Sequence, residues 1–249
     1  ESEGIEALTS IVVTHYHADH IYGLQVFKDA GAEIWAPGGA RIYLDSPQAD
    51  ERLEERRFSL DPWVNEQTRL VPPDKVITTN TSFALGGVVF RIDLLGAAHS
   101  DEDMSLFVVS DKVLYSGDII FEGRVPYVGD ANTKQWLTAL TDMQTDGLTA
   151  LVPGHGPAAS DPAGAVTATR DYVAYLRQVM GAAVERFQDF DSAYKAADWS
   201  RFEKLPAFEA ANRRNAYQVY LSMEAEALEM FDLIDFPGIS DPNMPSEVW

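Results

Sequence analysis

A layered α/β sandwich with added C-terminal helices is the fold class this chain predicts, on three observations. It opens with a strand–helix–strand succession, and a run of short apolar segments follows between residues 75 and 116. Its chemically distinctive residues fall just beyond strand-like runs. Loops at strand ends converge on one rim of a sheet, so such residues can meet there.

Each element follows from local pattern. Ser10–Thr14 is a β-branched run and reads as a buried strand. Ile21–Ala30 has helical spacing through Ile21, Leu24 and Phe27 and stops at Gly31. Glu33–Ala36 is a second strand, ended by Pro37, Gly38 and Gly39. Residues 40–63 mix charges of both signs and predict an exposed helix, with Trp63 placed to act in a lid. Strands are expected at 75–79, 82–85, 88–95, 105–110 and 112–116, the last pair joined by a tight turn at Asp111 and Lys112. A helix over 133–145 puts Trp136, Leu137, Leu140 and Met143 on one face, and Ala150–Val152 is a strand leading into His155. After Asp161 the spacing turns helical, first through Val173, Leu176, Met180, Val184 and Phe187, then through Ala216, Val219, Met223, Ala227 and Phe231. A shorter helix is expected around Ser192–Trp199. Three regions result: a sandwich domain over 1–165, a helical region over 166–232 and an extended tail over 233–249.

Composition narrows the function. An apolar content of 46% is ordinary for a water-soluble globular protein. The sequence has neither a membrane-length apolar run nor, in residues 1–14, the pattern of a secretory signal, so no membrane partner is expected. Without cysteine there is no disulfide, thiolate ligand or thiol nucleophile. That leaves the compartment of this bacterial-type chain open between periplasm and cytoplasm. A net charge of −20, from 39 acidic and 19 basic residues, repels phosphate backbones and disfavours nucleic acid. The expected partner is a small-molecule substrate, and homo-oligomerisation is left open.

The five histidines carry the chemistry. His15, His17 and His20 lie with Asp19 in a His-x-His-x-Asp-His run, while His99 and His155 follow glycine- or proline-bearing turns. An isolated histidine is usually a surface or hydrogen-bonded core residue, but this spacing is specific. In an extended loop His15 and His17 face one metal, and Asp19 and His20 turn to a second beside it. His99 completes the first, His155 the second, and Asp118 can bridge both. Imidazole and carboxylate suit zinc, with iron or manganese as alternatives. Asp101, Glu102 and Asp103 are expected to shape the loop and orient an imidazole.

The combination of Thr14–His20, His99, Ser116–Asp118 and Pro153–Gly156 resembles the metallo-β-lactamase-fold superfamily over residues 10–157. The resemblance implies a four-layer αβ/βα sandwich with the metal site on one edge. Asp118 makes it similar to the glyoxalase II-like dinuclear branch. The segments His99–Asp103, Gly117–Asp130 and Asn212–Asn215 look most like SoxH-like zinc metallohydrolases found near sulfur-oxidation or quinoprotein systems. Zinc β-lactamases proper usually lack this aspartate, so β-lactam hydrolysis is expected at most as a side activity. Members normally carry more sheet before the histidine motif, so the chain is expected to be a truncated or processed form of a longer protein.

The implied activity is metal-dependent hydrolysis of a thioester, ester or lactone by a metal-bridging hydroxide that Asp19 helps to orient. Arg124 and Tyr127 are expected to line the substrate cleft. Arg213 and Arg214 stand where glyoxalase II-like enzymes hold an anionic thiol cofactor, or else pair with the acidic surface. Two alternatives remain at this point: a mononuclear iron sulfur dioxygenase, whose triad would resemble His15, His99 and Asp118, and a non-catalytic truncated relative.

Overall fold

The structure, a computed structural model, describes residues 9–129 and 131–232. The tail expected over 233–249, and any sheet expected before Thr9, lie outside the described residues.

Two sheets form. The first has the parallel order β1 (Ser10–Val12), β2 (Glu33–Pro37), β3 (Lys75–Ile77). The second runs β4 (Thr81–Leu85), β5 (Val88–Gly96), β6 (Asp103–Val108), β7 (Val113–Phe121) and β8 (Ala150–His155). It is antiparallel except for the β7–β8 pair. Strand alternation sorts the side chains into layers. Val12, Trp35 and Ile77 of the first sheet meet Phe83, Ile92, Leu94, Met104 and Leu106 of the second in a central core. Ile11, Val13, Ile34 and Ala36 face outward beneath α1 (Ala18–Ile21), α2 (Leu24–Asp29), α3 (Gly39–Leu44) and α4 (Ala49–Ser59). On the far side α5 (Thr133–Asp142), α6 (Pro162–Glu185) and α8 (Phe208–Asp232) cover the second sheet through Trp136, Leu140, Tyr172, Val173, Leu176 and Val219. The short α7 (Phe190–Ala196) packs against α6 and α8. The result is the expected sandwich: helix layer, sheet, sheet, helix layer.

Several boundaries differ from expectation. The helix expected over Ile21–Ala30 is two, broken at Gly23 and begun three residues early at Ala18. The segment 40–63 is likewise two helices: Pro47, which lacks a backbone N–H, separates α3 from α4, and the chain leaves helix before Pro62. The β6–β7 turn spans residues 109–112, since Val108 pairs with Val113, and Lys112 takes a positive φ of 55°. The most consequential difference is β7, which runs on to Phe121 instead of ending at residue 116.

Candidate metal centre

The candidate ligands sit past the ends of β1 and β5, at an irregular stretch within β7 and at the end of β8. Past β1 the chain bends at Thr14 and His15 and is extended again at His17, just before α1. His15 and His17 point one way, while Tyr16 turns into the outer core and donates its hydroxyl to the Val71 carbonyl at 2.6 Å. The Met104 amide donates to the Thr14 carbonyl at 2.9 Å and ties this loop to the second sheet. Asp19 and His20 follow on the first turn of α1.

His99 lies in the loop between β5 and β6. Buried Asp103 braces that loop by accepting from the amides of Ala98 (3.2 Å) and Ser100 (2.9 Å). Glu102 accepts from the Gly39 amide at 3.1 Å, and Asp101 reaches the cleft. The loop-shaping role expected of the acidic trio thus falls on Asp103 and Glu102. Asp118 is thrown onto the rim by irregular β7–β8 pairing on either side of Gly117. Gly117 has a φ of +55°, and a Cβ there would stand 2.5 Å from Thr14 Oγ1, so only glycine lets β7 approach the histidine loop.

The ligand atoms converge on Asp118. Its Oδ2 lies 3.3 Å from His99 Nε2, 3.3 Å from His155 Nε2 and 3.8 Å from His15 Nε2, and its Oδ1 lies 3.2 Å from His20 Nε2. His17 Nδ1 and His99 Nε2 are 3.1 Å apart. Asp19 Oδ2 lies 3.0 Å from His155 Nε2 and 3.5 Å from His20 Nε2. The residues therefore fall into one group of His15, His17 and His99, another of Asp19, His20 and His155, and Asp118 between His15 and His20. This is the partition read from the spacing.

Electrostatics follow from the geometry. Burial opposes ionisation of Asp118, but the close imidazoles of His155, His20 and His99 outweigh it and hold the carboxyl well below the usual range. Hydrogen bonds to Asp118 and Asp19 push His155 up to about 9. Desolvation, with the neighbouring His99, drives His15 well below its ordinary value. Among the described residues, the buried Nε2 atoms of His15 and His20 and the Oδ1 of Asp118 have no partner in hydrogen-bond geometry. Unsatisfied buried nitrogens gathered around a carboxylate are a donor set that a divalent cation satisfies, so these residues fit a metal.

Two aromatic residues hold the imidazoles in ways the sequence pattern did not indicate. Phe121 stacks on His155 at 5.2 Å, and Trp136 meets His99 edge-on at 5.1 Å while donating its indole N–H to the Ile119 carbonyl. Trp136 reads from sequence only as a core residue of an amphipathic helix.

A cleft of about 700 Å³ opens over the centre. Arg124 and Tyr127 line it as expected, and so does Arg214. Arg213 instead pairs with Asp191 at 2.6 Å and packs on Phe190 and Tyr194. Trp63 is 86% exposed and stands apart from the cleft, correcting its place in a lid. The charged segment around it contributes Arg52, Glu55 and Arg56 of α4, and α3 contributes Tyr43. These wall residues were missed because no local pattern points a solvent-exposed helix at a site.

Comparisons with known proteins agree with this architecture. Residues 1–155 match the family model of the metallo-beta-lactamase superfamily. The chain is 25% identical over 148 residues to "Beta-lactamase-like protein 2 homolog" of Caenorhabditis elegans, covering 59% of this chain and 42% of that protein. It is 24% identical over 136 residues to "Metallo-beta-lactamase type 2" of Elizabethkingia meningoseptica, covering 53% and 46%. The chain thus spans about half the length of the curated relatives it matches. Among solved structures, a metallo-beta-lactamase family protein from Thermus thermophilus superposes with a TM-score of 0.61 at 17% identity, covering 89% of this chain and 75% of that one. The sec-alkylsulfatase Pisa1 from Pseudomonas sp. superposes at 0.67 with 16% identity, covering 87% and 41%. Identities this low speak to fold alone. With its sandwich, its clustered histidines and well over half its length matched to the family model, the chain belongs to the metallo-β-lactamase superfamily, whose members are typically metal-dependent hydrolases.

Proposed function

We propose that the chain is a dinuclear zinc hydrolase of the glyoxalase II-like branch, most similar to its SoxH-like members, acting on a small thioester, ester or lactone. The observation that carries this is the division of the ligands into two three-residue groups with Asp118 between them. It favours two metals over the single iron of a dioxygenase. When bound, a zinc pair supplies an activated water and a Lewis acid for the scissile carbonyl.

The protein's own residues do the rest. His15, His17 and His99 would hold one metal and Asp19, His20 and His155 the other, with Asp118 shared between the two groups. Asp19 is the most exposed of the acidic ligands, at 57%, and faces the cleft, so it orients the attacking water and accepts its proton. Tyr127 and Arg124 position the substrate. The net charge of −20 directs the site to small molecules, away from nucleic acid. Among the described residues no helix is long and apolar enough to cross a membrane.

The test is metal counting with turnover. The chelated protein is expected to be inactive and to regain thioester hydrolysis as two zinc ions per chain bind. Full turnover after complete metal removal, or one iron per chain in the active protein, would overturn the reading.

A further inference from the structure

A second cavity, of about 510 Å³, lies between the second sheet and the end of α5 and shares no lining residue with the cleft over the metal centre. Its volume is within the range that small organic ligands occupy. Strand pairing builds its floor. Arg91 lies opposite Phe107 and Asp93 opposite Ser105 across the β5–β6 pair, so all four share one face of the sheet. Leu114, opposite Phe107 on β7, continues the apolar part of that floor.

The polar groups around this cavity are not saturated by the protein. Ser105 is only 4% exposed and lines the cavity, yet among the described residues its hydroxyl has no hydrogen-bond partner. A buried hydroxyl of this kind is satisfied by a ligand. Asp93 accepts from Arg91 Nε at 2.8 Å through Oδ2, and its Oδ1 remains as an acceptor. The Arg91 guanidinium lies back against Phe107, 5.0 Å from the ring centre. Gln135 and Gln144 donate their side-chain amides to the Leu95 and Asp142 carbonyls at 3.4 and 3.2 Å, which leaves each side-chain oxygen as a further acceptor. Asp142 and Asp146 bring the carboxylates of the wall to three, against the single guanidinium of Arg91. Helix α5 also ends here, at Asp142, with no basic residue in its last turn, and that end of a helix favours a cation. Among the described residues, none of these carboxylates belongs to a group of three whose ligand atoms lie within 4.8 Å of one another. Acceptors spread in this way suit a cation with several N–H donors and a carbon stem better than a bare metal ion.

We propose that this cavity is a second small-molecule site, and that its ligand is an organic ammonium ion with an apolar stem. The ammonium donates to the Asp93 carboxylate and the Ser105 hydroxyl, while the stem rests on Phe107 and Leu114. Asp142 and Asp146, both exposed, draw the cation to the opening. Neither the metal positions nor their cleft takes part, so the site stands or falls apart from the hydrolase reading.

The test uses the zinc-loaded full chain in about 0.15 M salt, where distant surface charges are screened. Calorimetry compares pentylammonium chloride with neutral 1-pentanol and with sodium pentanoate. Asp93→Asn and Ser105→Ala are made separately. The second removes a hydroxyl that makes no internal hydrogen bond, so it leaves the fold intact even if the first, by unpairing Arg91, does not. Glu51→Gln, on the exposed side of α4, controls for net charge. Pentylammonium is expected to bind about tenfold or more tighter than either comparison ligand, and Asp93→Asn to lose roughly tenfold of that affinity. Ser105→Ala should lose about threefold, and Glu51→Gln should stay within about twofold of the wild type. Pentylammonium bound no better than pentanol, or bound alike by the wild type and both cavity variants, overturns the site. A loss that Glu51→Gln shares to the same extent would assign the binding to the overall charge and overturn it as well.

Discussion

Gly154 offers a sharp test of how the centre is built, because it is the residue on β8 against which the Asp118 carboxylate lies. A Cβ at this position would stand 1.8 Å from Asp118 Oδ1 and 2.8 Å from both the Asp118 amide nitrogen and the Gly117 carbonyl carbon. Two of these three atoms are backbone in a paired strand and cannot swing aside. Ordinary contact begins near 3.4 Å, so Gly154→Ala must push the Asp118 carboxylate away by about 1.6 Å or part β7 from β8. Overpacking of this kind costs about 1–3 kcal/mol, which in a protein of this size lowers Tm by about 2–12 °C. On the proposed dinuclear reading, displacing a carboxylate that lies between both candidate metal positions should also reduce bound zinc from two per chain to one or none. Differential scanning calorimetry and metal analysis read the two effects together. Gly23→Ala is the control: its Cβ meets nothing within 4 Å and its φ is −90°, so stability should stay within about 0.5 kcal/mol. A Gly154→Ala protein that holds two zinc ions and melts with the wild type would refute the placement of Asp118 between β7 and β8.

Three further outcomes follow from the same geometry. His155 is held up to about 9 by Asp118 and Asp19, so in the metal-free protein it is protonated at neutral pH; its stabilisation is complete below about 6.5 and fades as pH rises through about 9. A metal must displace that proton, so calorimetry in buffers of different ionisation enthalpy should show at least one proton released per chain at pH 7 and less above pH 9, and no release at pH 7 would contradict the assigned contacts. Asn215 is fully buried, donates to the Pro126 carbonyl at 2.6 Å and accepts from the Val128 amide at 3.0 Å. Asn215→Ala should therefore cost about 2–4 kcal/mol and raise KM more than it lowers kcat, because the loop it pins carries Arg124 and Tyr127. Arg213→Gln breaks an exposed pair with Asp191 and the guanidinium's contacts with the Phe190 and Tyr194 rings, so Tm should move by less than about 6 °C and KM should not change; a marked rise in KM would return Arg213 to the cleft.

How far the site could be read in advance depended on the range of the interactions that make it. The grouping of His15 with His17, and of Asp19 with His20, is a consequence of local geometry: the two histidines share a short bent loop, and the first turn of a helix redirects the residues after it. Such relations span a few residues and are written in spacing. Asp118 was legible by type and neighbourhood, but its placement was not. The strand had to continue past Gly117 through irregular pairing, and that depends on Thr14 lying 103 residue positions earlier in the chain. The cleft wall was least legible, because a helix with Asp50, Glu51, Glu54 and Glu55 beside Arg52, Arg56 and Arg57 reads as a solvated surface from every side. What turns Arg52 and Arg56 toward the centre is the burial of Leu53 in the outer core with Tyr43, and of Ala49 one turn before it, which orients the whole helix. The same burial separates Arg214 from Arg213: Ala216 and Val219 face the core of α8, and the rotation this imposes delivers one arginine to Tyr127 and its neighbour to Asp191. Ligand chemistry was therefore encoded locally, whereas the selection of what reaches the ligands is set by how helices roll against two separate cores. Repacking Leu53 should consequently alter substrate preference while leaving zinc stoichiometry at its wild-type value.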